Sequence, residues 1–102
     1  MTHTADLERE WDAALRAPGT VLAKFSAPWC GPCKAMEPYL KQLEAMPSTP
    51  PVVRVDVEAA PELSVRYGIR AMPTLMLLRD GEPVRTVVGL QTHAQLVNFI
   101  SE

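Results

Sequence analysis

The spacing of apolar and polar side chains predicts a helix near each end of the chain. In residues 4–17, apolar residues recur at helical intervals and charged residues occupy the opposite face. Pro18 and Gly19 end this helix, because proline disfavours helical backbone before it and glycine readily closes a helix. Near the C-terminus, Thr92 and Gln95 form a capping-box pattern, in which each side chain accepts a hydrogen bond from the other residue's backbone N–H. An apolar helical face follows that pattern.

Two internal segments also have helical patterns. Residues 34–46 carry apolar side chains at helical spacing. Pro38 lies within them and predicts a kink, because proline lacks a backbone donor and clashes with the preceding turn. Residues 61–68 start with proline and end with glycine, which is typical of a short helix.

Four short segments have the composition of β-strands: residues 21–27, 52–57, 74–78 and 84–88. The first is mostly apolar, which predicts a strand buried on both faces, with Lys24 as the exception. The second alternates valine with charged residues, as expected of a strand with one solvent-facing side. The last two flank Asp80 and Gly81, and Asp-Gly between two apolar runs is a strong signal for an antiparallel hairpin.

The order of these elements predicts an α/β sandwich in a single domain spanning residues 1–102. Crossover helices make the strands that they connect pair in parallel, and the hairpin adds an antiparallel pair. A chain of 102 residues has room for one hydrophobic core.

Composition narrows the classes of partner. Ten Lys and Arg residues against twelve Asp and Glu residues give a formal net charge of −2, so a nucleic-acid partner is not expected. The longest apolar stretch, residues 71–78, is far shorter than the roughly 20 residues that cross a bilayer. The first residues show neither a basic leader nor an apolar signal segment. We therefore expect a cytoplasmic protein without a membrane partner, and a monomer.

The chemistry of the chain is predicted to lie in Trp29-Cys30-Gly31-Pro32-Cys33, where a buried strand ends and a helix begins. Cys30 is then placed at a helix N-terminus, where free N–H groups and the helix dipole favour the thiolate. We expect Cys30 to be the nucleophile. Cys33 lies one helical turn further on and faces inward, which suits a resolving cysteine.

Two other interpretations of the cysteine pair remain. A Cys-x-x-Cys motif is also half of a tetrahedral zinc site, but the chain has no second cysteine pair and its two histidines are His3 and His93. We therefore expect no metal. The pair could also be two inert buried thiols, but the glycine and proline between them and the strand-to-helix context favour redox chemistry.

These features together resemble the thioredoxin family over nearly the whole chain. The matching features are Ala27-Pro28-Trp29-Cys30-Gly31-Pro32-Cys33-Lys34, Pro38, Tyr67-Gly68-Ile69-Arg70, Met72-Pro73-Thr74, Asp80-Gly81 and Gly89. The resemblance implies the thioredoxin fold, a central mixed β-sheet of four to five strands flanked by about four helices. It implies a cis peptide bond before Pro73, packed against the cysteine pair. It also implies a first strand near residues 1–4, which in this chain is expected to be very short or missing.

The resemblance further implies a general protein disulfide reductase that works by thiol–disulfide exchange through Cys30 and Cys33. No cofactor is needed beyond this redox-active disulfide. The partners implied are client proteins that carry disulfides and a flavin-containing thioredoxin reductase as electron donor. A shallow client groove is implied at Trp29, Gly31, Pro32, Met72, Pro73, Gly89 and Leu90. The Met72 backbone is expected to pair with the client like an added strand, although Met72 and Leu90 could instead be core residues.

Lys24 departs from the family pattern. Thioredoxins usually have a buried Asp at this position, thought to help move the proton of the resolving cysteine, and a Lys where this chain has Arg54. Two positive charges are therefore expected beneath the active site, with Asp56 or Glu58 as counter-ions. A buried Lys24 must pair with an acid, extend its ammonium to water, or lose its proton.

The state of Lys24 affects the chemistry. A charged Lys24 near the thiols stabilises the thiolate and raises the reduction potential, whereas a neutral amine could act as the base for Cys33. Two alternatives to the reductase stay open. A charged Lys24 favours a more oxidising protein, a disulfide oxidant or isomerase. Independently of Lys24, the fold could serve as a redox-independent binding subunit of another protein. Gly31 and Pro32 favour the reductase, since isomerases tend to have His at the second position.

Overall fold

The computed structural model describes residues 9, 11–13, 16 and 19–101. Arg9, Arg16 and residues 11–13 are helical, in agreement with the helix predicted there. The other residues of that helix, and the first strand expected near residues 1–4, lie outside the described part of the chain.

The remaining elements follow the predicted order. The strands are β1 (Thr20–Ser26), β2 (Val52–Asp56), β3 (Thr74–Arg79) and β4 (Glu82–Val88). The helices are α1 (Gly31–Glu44), α2 (Pro61–Arg66) and α3 (His93–Ser101). Helix α1 begins three residues earlier than its apolar periodicity predicted, because the cysteine motif itself forms the first turn. Pro38 lies inside α1 without ending it, and the kink stays a prediction.

The four strands form one mixed sheet in the order β2-β1-β3-β4. Strand β1 pairs in parallel with β2 and antiparallel with β3, and β3 pairs antiparallel with β4. The predicted mixed sheet is therefore confirmed. In this register Lys24 lies between Arg54 on β2 and Leu75 on β3.

The predicted hairpin and the predicted cap are both confirmed. Asp80 and Gly81 connect β3 to β4 with φ angles of 51° and 84°, the left-handed backbone that a tight hairpin turn needs. At α3, the Thr92 N–H donates to Gln95 Oε1 at 2.9 Å and the Gln95 N–H donates to Thr92 Oγ1 at 3.3 Å. Strand β4 is an edge strand, so most of its side chains are exposed despite its apolar composition.

Alternate residues of β1 face two separate hydrophobic clusters. One face contributes Val21, Ala23 and Phe25 to a cluster with Trp11. The opposite face contributes Leu22 to a cluster with residues of α1, β3 and α3. Lys24 follows Leu22 on this second face and is also buried, with 4% of its surface exposed. Lys24 therefore differs from its neighbours in β1 in its charge, but it is about as buried as they are.

Candidate active site

Cys30 lies at the N-terminus of α1, as predicted. It is the N-cap residue, with extended backbone at φ −85° and ψ 108°, and its Sγ accepts a hydrogen bond from the Cys33 N–H at 3.2 Å. A helix N-terminus carries partial positive charge from its unpaired N–H groups. This environment favours negative charge on the Cys30 sulfur when the disulfide is reduced.

Cys30 and Cys33 are joined as a disulfide, with their Cα atoms 5.3 Å apart. Cys33 faces inward, with 2% of its surface exposed, and Cys30 is almost as shielded at 4%. Both sulfurs pack in a small cluster with Ala27, Val57 and Met72. The pair therefore lies just below the surface at the junction of β1 and α1.

The predicted groove residues lie near the disulfide on three segments: residues 29–32, the loop before β3 and the loop after β4. Trp29 is 65% exposed and its indole N–H donates to the Glu58 carboxylate. Gly31 and Pro32 are exposed in the first turn of α1. Opposite them, the peptide bond between Met72 and Pro73 is cis, as the resemblance implied.

The last two groove residues, Gly89 and Leu90, lie on a third segment, the loop between β4 and α3. The Gly89 N–H donates to the Pro73 carbonyl at 2.8 Å, which brings the end of β4 beside the cis-proline. Leu90 is 46% exposed, so its interpretation as a core residue is wrong. Met72 is half-buried and packs against the cysteine cluster.

Lys24 is fixed directly beneath Cys33. Its ammonium donates to the Cys33 carbonyl at 3.1 Å and to Glu37 Oε2 at 2.5 Å. Because its side chain is only 5% exposed, the alternative in which the ammonium extends to water is wrong. Lys24 takes the first of the predicted outcomes and pairs with an acid.

The expected counter-ions of Lys24 were wrong. Its partner is Glu37, while the Glu58 carboxylate accepts from Trp29 and Asp56 Oδ1 accepts from the Glu58 N–H at 2.9 Å. Glu37 lies four residues after Cys33, so both side chains point to the same side of α1. That helical spacing was the signal in the sequence, but Glu37 contacts Lys24 only once α1 packs on the sheet.

The ion pair continues toward the surface through β2. Arg54 Nε donates to Glu37 Oε1 at 2.7 Å, and the Arg54 guanidinium holds both oxygens of Glu44 at 3.2 Å and 2.5 Å. Burial would raise the pKa of Glu37, but hydrogen bonds from Lys24 and Arg54 outweigh it and hold that pKa below its ordinary value. Glu44 raises the pKa of Arg54 above its ordinary range, against the opposing effect of burial and with further help from Glu37.

A cleft of about 390 Å³ opens beside the disulfide. Its lining includes Cys33, Lys24, Glu37 and Asp56. The resolving side of the disulfide therefore faces an open cleft, lined by charged residues among apolar surface, that also reaches the buried ion pair.

The described residues contain no group of three or more His, Cys, Asp or Glu side chains that could hold a metal ion. His93 begins α3, and His3 lies outside the described residues. Across the described ranges, no helix has the length and apolar character needed to cross a bilayer.

The chain is similar to known thioredoxins in sequence. A family model described as Thioredoxin matches residues 3–102. Thioredoxin from Bacillus subtilis is 41% identical over 85 residues, which are 82% of each chain. Thioredoxin from Chlamydia caviae is 41% identical over 86 residues, or 84% of each chain.

Solved structures show the same similarity. A mutant thioredoxin from Halobacterium salinarum superposes with a TM-score of 0.82 at 41% identity, covering 90% of this chain and 80% of that one. A thioredoxin from Nicotiana alata superposes with a TM-score of 0.81 at 29% identity, covering 93% and 82% of the two chains. The fold is therefore shared, and the chain belongs to the thioredoxin family of protein-disulfide oxidoreductases, with Cys30 and Cys33 as its redox-active pair.

Proposed function

We propose that in this protein disulfide reductase Cys30 is the attacking cysteine and Cys33 the resolving one. The observation that carries this assignment is the position of Cys30 as N-cap of α1, with its sulfur accepting the Cys33 N–H. Thiolates are the reactive form of cysteine, and a helix N-terminus lowers the thiol pKa. Cys33 lies inside the first turn and is the more shielded of the two.

Each reaction transfers two electrons to the client. The Cys30 thiolate attacks one sulfur of a client disulfide, that S–S bond breaks, and the client's second sulfur leaves as a thiolate that takes a proton from water. Cys33 then loses its proton to water in the adjoining cleft and attacks the Cys30 sulfur. The mixed disulfide breaks, the client leaves with both sulfurs reduced, and the Cys30–Cys33 disulfide forms.

We propose that clients bind across the three segments beside the disulfide, at Trp29, Gly31, Pro32, Met72, Pro73, Gly89 and Leu90. Exposed apolar surface at Trp29 and Leu90 supports this assignment. An extended client segment can pair with the backbone of Met72 and place its own disulfide over Cys30. Backbone pairing of this kind is tolerant of sequence, as a general reductase requires.

Lys24 is proposed to hold Cys33 in place and to stabilise its thiolate only weakly, because the contact with Glu37 cancels most of the ammonium charge. Its ammonium lies on the Cys33 carbonyl and lines the same cleft as Cys33. Its ion pair with Glu37 supports a charged ammonium and gives no support to a neutral amine acting as a base. That ion pair also weakens the argument for an oxidant, which relied on an uncompensated charge at Lys24.

Turnover requires that the disulfide be reduced again after each client. A thioredoxin reductase is the proposed electron donor, and the cytoplasm, which keeps thiols reduced, is the proposed compartment. The chemistry uses residues of one chain and its own disulfide, so we propose a monomer without a bound cofactor. One structural neighbour belongs to a yeast mitochondrial system in which a 1-Cys peroxiredoxin is resolved via glutathione and thioredoxin, which supports a protein as the client.

The test is reduction of insulin disulfides with NADPH and a bacterial thioredoxin reductase. We expect the wild type to turn over, Cys30→Ser to be inactive, and Cys33→Ser to accumulate a mixed disulfide with insulin. Asn98→Ala, on the exposed side of α3, is the control and should match the wild type. Activity retained by Cys30→Ser would refute the assignment, and a Cys30→Ser, Cys33→Ser double variant that kept its biological role would favour a binding subunit.

A further inference from the structure

Glu37 is the one partner in the ion-pair chain that touches both buried and surface cations. Its Oε2 binds Lys24 at 2.5 Å, and its Oε1 binds Arg54 at 2.7 Å. Arg54 is fixed in turn by Glu44. Glu37 is therefore held rigidly from the β2 side while it contacts the ammonium beneath Cys33.

Among the groups that surround Lys24, Glu37 is the acid in direct contact with its ammonium, so it sets the net charge beneath Cys33. Helix α1 presents Glu37 and the Cys33 carbonyl to it, β2 presents Arg54 in register beside it, and β3 presents the apolar Leu75. Asp56 from β2 and Lys34 from α1 also line the same cleft, with opposite charges. Glu37 is thus the carboxylate that directly compensates a cation buried against the resolving cysteine.

An uncompensated ammonium at this place would change the redox balance. Positive charge stabilises thiolates, and therefore the dithiol over the disulfide, which makes a protein more oxidising. With Glu37 in contact, the field of Lys24 at the sulfurs is largely cancelled. Lys24 can still donate to the Cys33 carbonyl and stay in place.

We propose that Glu37 is a positioning residue that holds Lys24 beneath Cys33 and cancels its charge, so that the cysteine pair remains a reductant. The proposal rests on the roles proposed for Cys30 and Cys33. It assigns Glu37 a part in setting the redox equilibrium through Lys24, without contact with the client.

The test compares the reduction potentials of five proteins, the wild type and four variants, each equilibrated in glutathione buffers, with free thiols measured by alkylation. Glu37→Gln should shift the equilibrium about tenfold toward the dithiol, or about 30 mV upward for a two-electron couple. Lys24→Met should shift it in the opposite direction, because Glu37 then loses its buried cation and keeps only Arg54. The double variant Lys24→Met, Glu37→Gln should return close to the wild type. Glu44→Gln, which alters the same network away from Lys24, is the matched control and should stay close to the wild type.

A second measurement, the pH dependence of Cys30 alkylation, distinguishes an electrostatic effect of Glu37 from a loss of packing in the variant. The rate of Cys30 alkylation in the reduced protein should reach its midpoint at lower pH in Glu37→Gln than in the wild type, with Glu44→Gln unchanged. If Glu37→Gln fails to fold, the comparison of Lys24→Met with the double variant still measures the charge of Glu37.

The proposal is overturned if Glu37→Gln moves the potential no more than Glu44→Gln, or if the double variant Lys24→Met, Glu37→Gln stays as far from the wild type as Glu37→Gln alone. It is also overturned if Lys24→Met and the double variant have equal potentials. Wild-type insulin reduction tests the proposed function separately, because the potentials are measured without a client.

Discussion

At the scale of single residues, the buried ion pair makes stability depend on pH. The folded protein holds the pKa of Glu37 below its ordinary value of 4.5, so the unfolded chain binds a proton more readily. The stabilisation is therefore fully present above about pH 4.5 and is lost as the pH falls through the lower, folded value.

The lowered pKa of Glu37 gives a prediction for the stability of the variant Glu37→Gln. At pH 7 the variant should be less stable by about 2 kcal/mol, below the 3–5 kcal/mol of a fully buried pair because Glu37 is partly exposed. Urea unfolding of both proteins from pH 7 to pH 3 should show the difference shrinking as the wild-type carboxylate is protonated. A difference that stayed constant or grew with acidity would contradict this account of the pair.

Trp11 packs on the face of the sheet opposite Lys24, and its burial gives a second prediction about the free energy of unfolding. It is fully buried, its ring centroid lies 5.6 Å from that of Phe25, and its indole N–H donates to the Tyr67 hydroxyl at 3.3 Å. Trp11→Ala should lower the free energy of unfolding by about 3–5 kcal/mol, because the cavity cannot fully collapse. Val65→Ala, at a position 83% exposed, is the control and should change it by less than about 0.5 kcal/mol.

At the scale of elements, the β3–β4 hairpin depends on its turn. Gly81 has φ 84°, and Asp80 binds Gly19 through both its N–H and its Oδ1, each at 2.8 Å. Gly81→Ala should therefore cost about 1–2 kcal/mol, since a Cβ is strained in left-handed backbone. Gly31→Ala is the matched control for stability, because Gly31 lacks a positive φ and a Cβ there meets nothing within 4 Å. Thermal unfolding of the two variants decides the point, and an equal loss in both would argue against turn strain.

Features determined by neighbouring residues were predictable from the sequence. The hairpin at Asp80 and Gly81, the box at Thr92 and Gln95, and Cys30 at a helix start each depend on a few adjacent positions. Their backbone conformation follows from local chemistry alone. The cis bond before Pro73 is different, because it came from the resemblance and not from the residues.

Features determined by packing were not predictable. The sequence pointed to Asp56 or Glu58 for Lys24, because both lie at the end of the neighbouring strand. The real partner, Glu37, is 13 residues away on a helix whose packing angle no local pattern specifies. The exposure of Val84 and Val88 was missed for the same reason, since apolar composition does not reveal that β4 is an edge strand.

At the scale of the whole molecule, the charges around the disulfide determine which way the protein transfers electrons. Lys24, Glu37, Arg54 and Glu44 form a connected chain of two cations and two anions, so their charges sum to zero. With this network neutral, the positive field at the sulfurs comes mainly from the N-terminus of α1, since the other charged residues of the adjoining cleft, Lys34 and Asp56, have opposite signs. We therefore expect a reduction potential near the value of about −270 mV that characterises thioredoxin.

Titration of the Cys30–Cys33 pair against defined thiol–disulfide buffers, with alkylation of free thiols, measures this potential directly. A value at or above about −180 mV would contradict the prediction, since it falls in the range of isomerases and oxidants. The ammonium of Lys24 would then act on the sulfurs despite its contact with Glu37, because nothing else buried at this junction carries positive charge among the described residues. A value near the thioredoxin range instead means that a lysine can occupy a buried position beneath the active site without making the protein an oxidant, provided that the adjoining helix supplies the carboxylate.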